Sequence, residues 1–268
     1  MFAVISDIHS NIEALTAVLE DIDRRGVREV HCCGDIVGYG PNPLECLDQL
    51  IERDVKSVCG NHDIAVFFEP LNFNVSAERA AYWTRQVLED EARKALRNRR
   101  WEMLGNMPER MEVHGLLLVH ASPRRPVNEY LFSEDVYTNP NKILANFDRL
   151  GHNHRACVVG HTHVPGVFLD DPYFDAPGDL TETDRYELTS EEKAIINVGS
   201  VGQPRDRDIR ASYIVVHEPA DEPDHANNDL HAVIEFVRIE YDVEKTVRKI
   251  LAIPELDDFL GTRLLDGR

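Results

Sequence analysis

The sequence predicts an α/β fold with parallel strands, and three observations carry that expectation. Short apolar runs recur along the first 160 residues, each ending in a polar cluster; an amphipathic helical stretch separates the first two; and a second helical stretch separates the second from the third. Strand, helix, strand, helix, strand is the βαβ pattern of a sheet with parallel strands.

The first run, residues 2–5, is Phe-Ala-Val-Ile and gives way to Ser6-Asp7. Residues 30–33 precede Gly34-Asp35, and 55–59 precede Gly60-Asn61-His62-Asp63. Residues 116–119 run into His120, and 157–159 into Gly160-His161-Thr162-His163. Runs this short and this apolar read as buried strands. Between the first two, Ile12, Leu15, Val18, Leu19 and Ile22 share one helical face, with a stop near Gly26. A second helix is expected over 43–53 and a third over 76–98, with a short continuation towards Met107 before Pro108 closes it. Beyond His163, residues 164–168, 194–198, 212–217 and 232–241 read as strands of a more antiparallel region, and 243–251 as a final helix. There is no internal repeat, no low-complexity tract and no long linker, so a single domain over 1–268 is expected, with a helical excursion around 70–108.

Composition narrows the functional classes. The 268 residues include 43% hydrophobic types, ample for a buried core, and Lys+Arg 29 against Asp+Glu 48 leaves a formal charge of −19. A surplus of that sign repels a phosphate backbone, so a nucleic-acid polymer is not an expected partner. No stretch reaches the roughly 20 apolar residues of a membrane span, so no membrane partner is expected. Met1 leads into Phe2 without a basic leader, and a cytoplasmic location is expected. The five cysteines are odd in number and form no C-x-x-C pair, so they read as buried reduced thiols. Two segments hold much of the charge: 167–193 with nine acids against Arg185 and Lys193, and 217–231 with five acids and no Lys or Arg. Rich in Asp, Pro and Asn, they read as surface loops or a hairpin. The first begins just after His163, which suggests that it borders the site and shapes access to it.

The chemistry lies in where Asp, Asn and His fall. Each strand-like run delivers such residues just past its C-terminal end, where open α/β sheets place their ligand sites. The set is Asp7, His9, Asp35, Asn61, His62, Asp63, His120, His161 and His163. Carboxylate, amide oxygen and imidazole without thiolate suit Mn, Fe, Zn, Ni or Mg. There are too many donors for one ion. In Asp7-x-His9 and His161-x-His163 the spacing projects two side chains from one short extended segment to the same side. Arg124, Arg125 and Arg205 are candidate phosphate contacts, since a guanidinium clasps two oxygens, and Ser200 is a candidate pocket residue. His152 and His154 read as structural.

This ordered set, D-x-H, G-D, G-N-H-D, H and G-H-T-H, resembles the calcineurin-like metallophosphoesterases. The resemblance covers roughly residues 2–216. Gly38-Tyr39-Gly40-Pro41 after Asp35, His120-Ala121-Ser122-Pro123-Arg124 with Glu129-Tyr130, and Asn197-Val198-Gly199-Ser200-Val201-Gly202-Gln203-Pro204-Arg205-Asp206 are similar to the bacterial and archaeal branch labelled diadenosine-tetraphosphatase-related phosphoesterases. The protein Ser/Thr phosphatases and symmetrical diadenosine tetraphosphate hydrolases differ, carrying an Arg soon after G-D and usually G-N-H-E.

The resemblance implies a four-layer α/β/β/α sandwich of two mixed sheets flanked by helices. It implies two divalent metal ions, manganese first among the candidates: Asp7, His9 and His163 on one, Asn61, His120 and His161 on the other, with Asp35 bridging. It implies hydrolysis of a small phosphomonoester, phosphodiester or nucleotide by in-line attack of a metal-bridging hydroxide. His62 becomes the acid that protonates the leaving oxygen, with Asp63 orienting its ring. The alternatives are an asymmetrical dinucleoside polyphosphate hydrolase, or a binding or regulatory module on the same fold. The intact ligand set favours an enzyme.

Overall fold

The computed structural model describes residues 1–150, 154–180, 184–222 and 229–268. Its strands form two mixed six-stranded sheets. The first sheet, in spatial order, contains β3 (Lys56–Ser57), β2 (Val30–Cys32), β1 (Phe2–Ile5), β11 (Ala211–His217), β12 (Leu230–Ile239) and β9 (Arg185–Thr189). The second contains β4 (Arg110–Val113), β5 (Leu116–Val119), β6 (Ala156–Val159), β10 (Ala194–Asn197), β7 (Gly166–Leu169) and β8 (Tyr173–Asp175). Parallel pairing joins β3, β2 and β1 in one sheet and β5, β6 and β10 in the other, and the remaining neighbours are antiparallel.

Alternation along the strands builds the layers, because successive side chains point to opposite faces. In β1, Phe2 and Val4 enter the core between the sheets, where they meet Leu116, Leu118, Val158 and Ile196. Ala3 and Ile5 face the other way, onto helices α1 (Ile12–Arg24) and α2 (Pro43–Glu52). Leu117, Val119, Cys157 and Val159 leave the second sheet on its outer face, against α7 (Pro140–Leu150). Helix, sheet, sheet, helix is the four-layer arrangement expected from the resemblance.

The helices form for local reasons. Asn11 caps α1 by accepting from the Ala14 N–H at 3.1 Å, and Ala14, Leu15, Val18 and Ile22 are buried along one stripe. The helix expected over 76–98 divides into α4 (Val75–Asp90) and α5 (Lys94–Asn106). The break is caused by Glu91, which leaves the helical region, accepts from the Arg93 N–H at 2.9 Å and pairs at 2.9 Å with the buried Arg100, itself bound to Asp48 of α2. Short α3 (Asn61–Ala65), α6 (Asp135–Thr138), α8 (Pro177–Leu180), α9 (Val243–Leu251) and α10 (Asp258–Thr262) complete the helices among the described residues. None is long and apolar enough to cross a membrane. All five cysteines are buried and unpaired.

The first acidic segment is more ordered than loops or a hairpin. Its described residues supply the β7–β8 hairpin and then cross to the first sheet as its edge strand β9, pairing with β12. Register also places the acidic turns. Leu169 pairs with Ala194 at the start of β10, so Asp170, Asp171, Glu191 and Glu192 sit at the end of the sheets opposite the polar clusters. Glu218 and Asp221 lie there too, 3.5 and 2.7 Å from the Met1 amino group. The expectation that this acidity borders the site is therefore corrected for these residues; from the segment it is Phe168 and Phe174 that reach a cleft there. Glu182, Asp224 and His152 lie outside the described residues.

Candidate metal centre

Seven side chains converge beyond the C-terminal ends of β1, β2, β3, β5 and β6, at buried or nearly buried positions. The backbone bends sharply to deliver them. Asp7, His9, Asp35, His161 and His163 all take positive φ, between 46° and 66°, a region that costs L-residues free energy and persists only where the surroundings enforce it. Here the enforcement is a ladder extended past the strands: Asp7 N–H donates to Gly34 O at 3.0 Å, His9 N–H to Asp35 O at 3.0 Å, and Ser10 N–H to Ile36 O at 2.9 Å. Glycine at 160 is required, since a Cβ there would stand 2.2 Å from Asp7 Oδ2.

Tautomers follow from hydrogen bonding. Nδ1 of His9, His163 and His120 lies 3.3, 2.5 and 2.8 Å from the carbonyl oxygens of Val37, Gln203 and Cys33. A carbonyl only accepts, so each Nδ1 carries the proton, and in the neutral ring Nε2 is a bare lone pair. The bare nitrogens face one another and the carboxylates. His9 Nε2 is 3.1 Å from His163 Nε2, and Asp7 Oδ1 is 3.1 Å from the latter and 3.7 Å from the former. Asp7 Oδ1 is buried and has no hydrogen-bond partner. In the second group His120 Nε2 is 3.0 Å from His161 Nδ1, 3.2 Å from Asn61 Oδ1 and 3.3 Å from Asp35 Oδ2. Asp35 Oδ2 is also 3.7 Å from His9 Nε2, so one oxygen touches both groups.

Lone pairs this close repel unless positive charge lies among them, so the donor set fits cations in both groups. Burial pushes His9, His161 and His163 below the ordinary histidine range. Burial would lower His120 as well, but the charge of Asp35 reverses this and raises it to about 9. Asp7 and Asp35 stay ionised: burial opposes it, and nearby His163 and His120, respectively, overcome it.

His62 lies beside this centre. Its ring packs 4.3 Å from Tyr39 and 4.6 Å from Phe73, with its edge to His9 at 4.9 Å. Its backbone N–H donates to Asp35 Oδ1 at 2.8 Å, while the ring Nδ1 is buried without a partner. Burial lowers its pKa to about 4. Asp63 does not reach that ring with a hydrogen bond. Its carboxylate accepts from four backbone N–H groups, Asp35 at 2.8 Å, Gly60 and Ile36 at 2.9 Å, and Val37 at 3.3 Å. The orienting role expected for Asp63 is thus corrected: it ties the Asp35 loop to the start of α3. Burial and the Asp35 charge push its carboxyl upward, and the N–H donors of Gly60 and Val37 oppose them.

The expected substrate contacts divide. The Arg205 guanidinium sits 5.8 Å from the Tyr39 ring centre, donates to Gln203 Oε1 at 2.7 Å, and lines a cleft next to the centre. Ser200 is fully buried; its hydroxyl donates to Asp7 O and serves the Gln203 N–H, each at 2.8 Å, so it pins the ligand loop and does not line a cleft. The Arg124 guanidinium is occupied by Glu129, which also takes the Ser122 hydroxyl at 2.7 Å and Asn146 at 3.0 Å. Arg125 is exposed, and His154 pairs with Glu112 at 3.3 Å. Three residues at the centre were given no site role from sequence: Phe73, and Tyr39 and Tyr130, which entered only as part of the resemblance; the Tyr130 ring stacks on His161 at 3.9 Å and 26°.

Residues 1–221 match the calcineurin-like phosphoesterase superfamily domain, and the chain belongs to that family. An uncharacterized protein of Methanocaldococcus jannaschii is 38% identical over 278 residues, covering 100% of this chain and 98% of its own. The crystal structure of a metallophosphoesterase from Sphaerobacter thermophilus superposes with a TM-score of 0.76 at 34% identity, covering 100% of this chain and 98% of that one. A hypothetical protein of Pyrococcus horikoshii shares the fold at a TM-score of 0.69 and 19% identity, with coverage of 100% and 98%.

Proposed function

We propose that the chain is a dinuclear metal-dependent phosphoesterase, cytoplasmic and built as one domain, that hydrolyses a small phosphate ester. The observation that carries the reading is the pair of lone-pair clusters sharing Asp35 Oδ2. Asp7, His9 and His163 would hold one divalent cation, Asn61, His120 and His161 the other, and Asp35 both; manganese is the first candidate. Two such cations supply Lewis acidity that makes water a nucleophile at neutral pH and offsets charge on the phosphoryl oxygens.

The chain's own residues do the rest. The carbonyls of Val37, Gln203 and Cys33 hold the histidine rings in the tautomer that leaves Nε2 free. Asp63 holds Asp35 at the centre. His62, against Tyr39 and Phe73, gives a proton to the departing oxygen once the negative charge of a bound phosphate raises its pKa from the value of about 4 that burial imposes. Arg205 meets a phosphate oxygen not engaged elsewhere; no carboxylate partner competes for it among the described residues.

The test is a screen of the manganese-reconstituted chain over p-nitrophenyl phosphate, bis-p-nitrophenyl phosphate, cyclic nucleotides and dinucleoside polyphosphates. Hydrolysis abolished by a chelator and restored by Mn²⁺ is expected. A chain carrying two metals that cleaves none of them would instead be a binding module.

A further inference from the structure

Two clefts open beside the metal centre and share Tyr130. One, of about 440 Å³, is walled by Asn61, Ile64, Leu71 and Phe73, and reaches His161. The other, of about 330 Å³, is walled by Phe132, Phe168 and Phe174, and ends at Arg205. Tyr130 stands between them, stacked on His161, and Phe132 continues the stack at 5.3 Å and 6°. Both rings are exposed, 42% and 46%, although each is large and apolar. The part of these rings left uncovered by the stack is costly to leave in water and suits a planar ligand group.

A phosphomonoester has one organic arm and needs one cleft. A phosphodiester has two, and two clefts share Tyr130 beside the centre. Their chemistry differs too. The first cleft contains Phe73, which packs on His62, so the arm lying there is the one nearer to His62. The second offers four aromatic rings and one guanidinium, the surroundings of a planar, electron-rich group attached to a phosphate.

From this geometry we propose that Tyr130 is a specificity-determining residue that divides the site for a phosphodiester, with a nucleobase-like aromatic arm held against the Tyr130–Phe132 wall and the leaving arm in the cleft beside Phe73. The proposal rests on the phosphoesterase reading above. Water adds to phosphorus, the P–O bond to the leaving arm breaks, and that oxygen takes a proton; the products are a free alcohol and a phosphomonoester that keeps the aromatic arm.

The experiment holds the leaving group constant and varies the other arm. The manganese-loaded chain is assayed with p-nitrophenyl phosphate, methyl p-nitrophenyl phosphate and thymidine 5′-(p-nitrophenyl phosphate). The thymidine diester is expected to have the highest kcat/KM. Tyr130→Ala should raise its KM roughly tenfold, the size of one lost base stack, and so lower the thymidine-to-methyl ratio of kcat/KM, while Tyr130→Phe retains it. Equal rates on the methyl and thymidine diesters, a preference for the monoester, or a uniform fall in kcat on every substrate in Tyr130→Ala would each overturn the proposal, the last leaving Tyr130 only a support for His161. Failure of the wild-type chain on all three substrates would instead overturn the phosphoesterase reading itself.

Discussion

His9 and His163, 154 residues apart in sequence, bring their Nε2 atoms to within 3.1 Å of each other while the Nδ1 of each turns to a backbone carbonyl. With each Nδ1 proton donated to a carbonyl, two neutral rings have no proton to share between their Nε2 atoms. The arrangement calls for positive charge between the donors, and a cation bound there would link metal binding to folding.

The first prediction concerns that linkage. Adding Mn²⁺ to the chelator-treated chain should raise its melting temperature progressively, because a ligand bound only by the folded state stabilises it, by about 2.7 kcal/mol at a hundred times Kd. Differential scanning calorimetry against Mn²⁺ concentration checks it; a melting temperature indifferent to metal contradicts it.

The second concerns Asp63. Asp63→Asn leaves one acceptor oxygen for four backbone donors and turns an N–H₂ group towards the others, so the Asp35 loop loosens. We expect a lower melting temperature and a fall of roughly 10–100-fold in metal affinity, the usual size for a support residue behind a ligand. Isothermal titration with Mn²⁺ measures this. An effect limited to leaving-group dependence, with metal affinity intact, would restore the role of orienting His62.

Gly160 supplies the third. In Gly160→Ala the new methyl would meet Ser6 Oγ at 2.1 Å and Asp7 Oδ2 at 2.2 Å, neither able to give way without disturbing a candidate metal ligand. Metal content should drop although no donor atom is removed. Gly178→Ala, where a Cβ meets nothing within 4 Å, is the control and should keep its metal.

The fourth addresses His62. His62→Ala should slow esters of poorly acidic alcohols by about 10²–10⁴-fold, the range for a lost general acid, and p-nitrophenyl esters far less, since that leaving group departs without a proton. Equal losses across a leaving-group series, measured as kcat/KM, would remove the acid role.

How much of this was readable beforehand depends on the kind of signal. The converging donors were legible because each follows a strand whose apolar run ends abruptly, and four of the nine expected strand regions, 2–5, 116–119, 157–159 and 212–217, kept their whole expected span. Asp63 was misread because adjacency to His62 suggested a side-chain pair; at the start of α3 its carboxylate instead turns back to the N–H of Gly60, as a capping residue does. Strand β9 was missed because Arg, Glu and Thr in Arg185–Thr189 masked the alternation that buries Leu188. Ser200 looked like a pocket residue by its place after Gly199, yet both of its hydrogen bonds are spent on backbone. Tyr130 sits in an irregular segment, where no periodicity marks a side chain as facing a site.

Asp35 is the point where the two halves of the centre meet, and metal stoichiometry tests it most directly. Inductively coupled plasma measurement on the manganese-reconstituted wild type should give two metal ions per chain, and Asp35→Asn should lose both together with activity. Retention of two ions and near-normal turnover in Asp35→Asn, or a single ion in the wild type, would contradict a dinuclear centre built around that carboxylate.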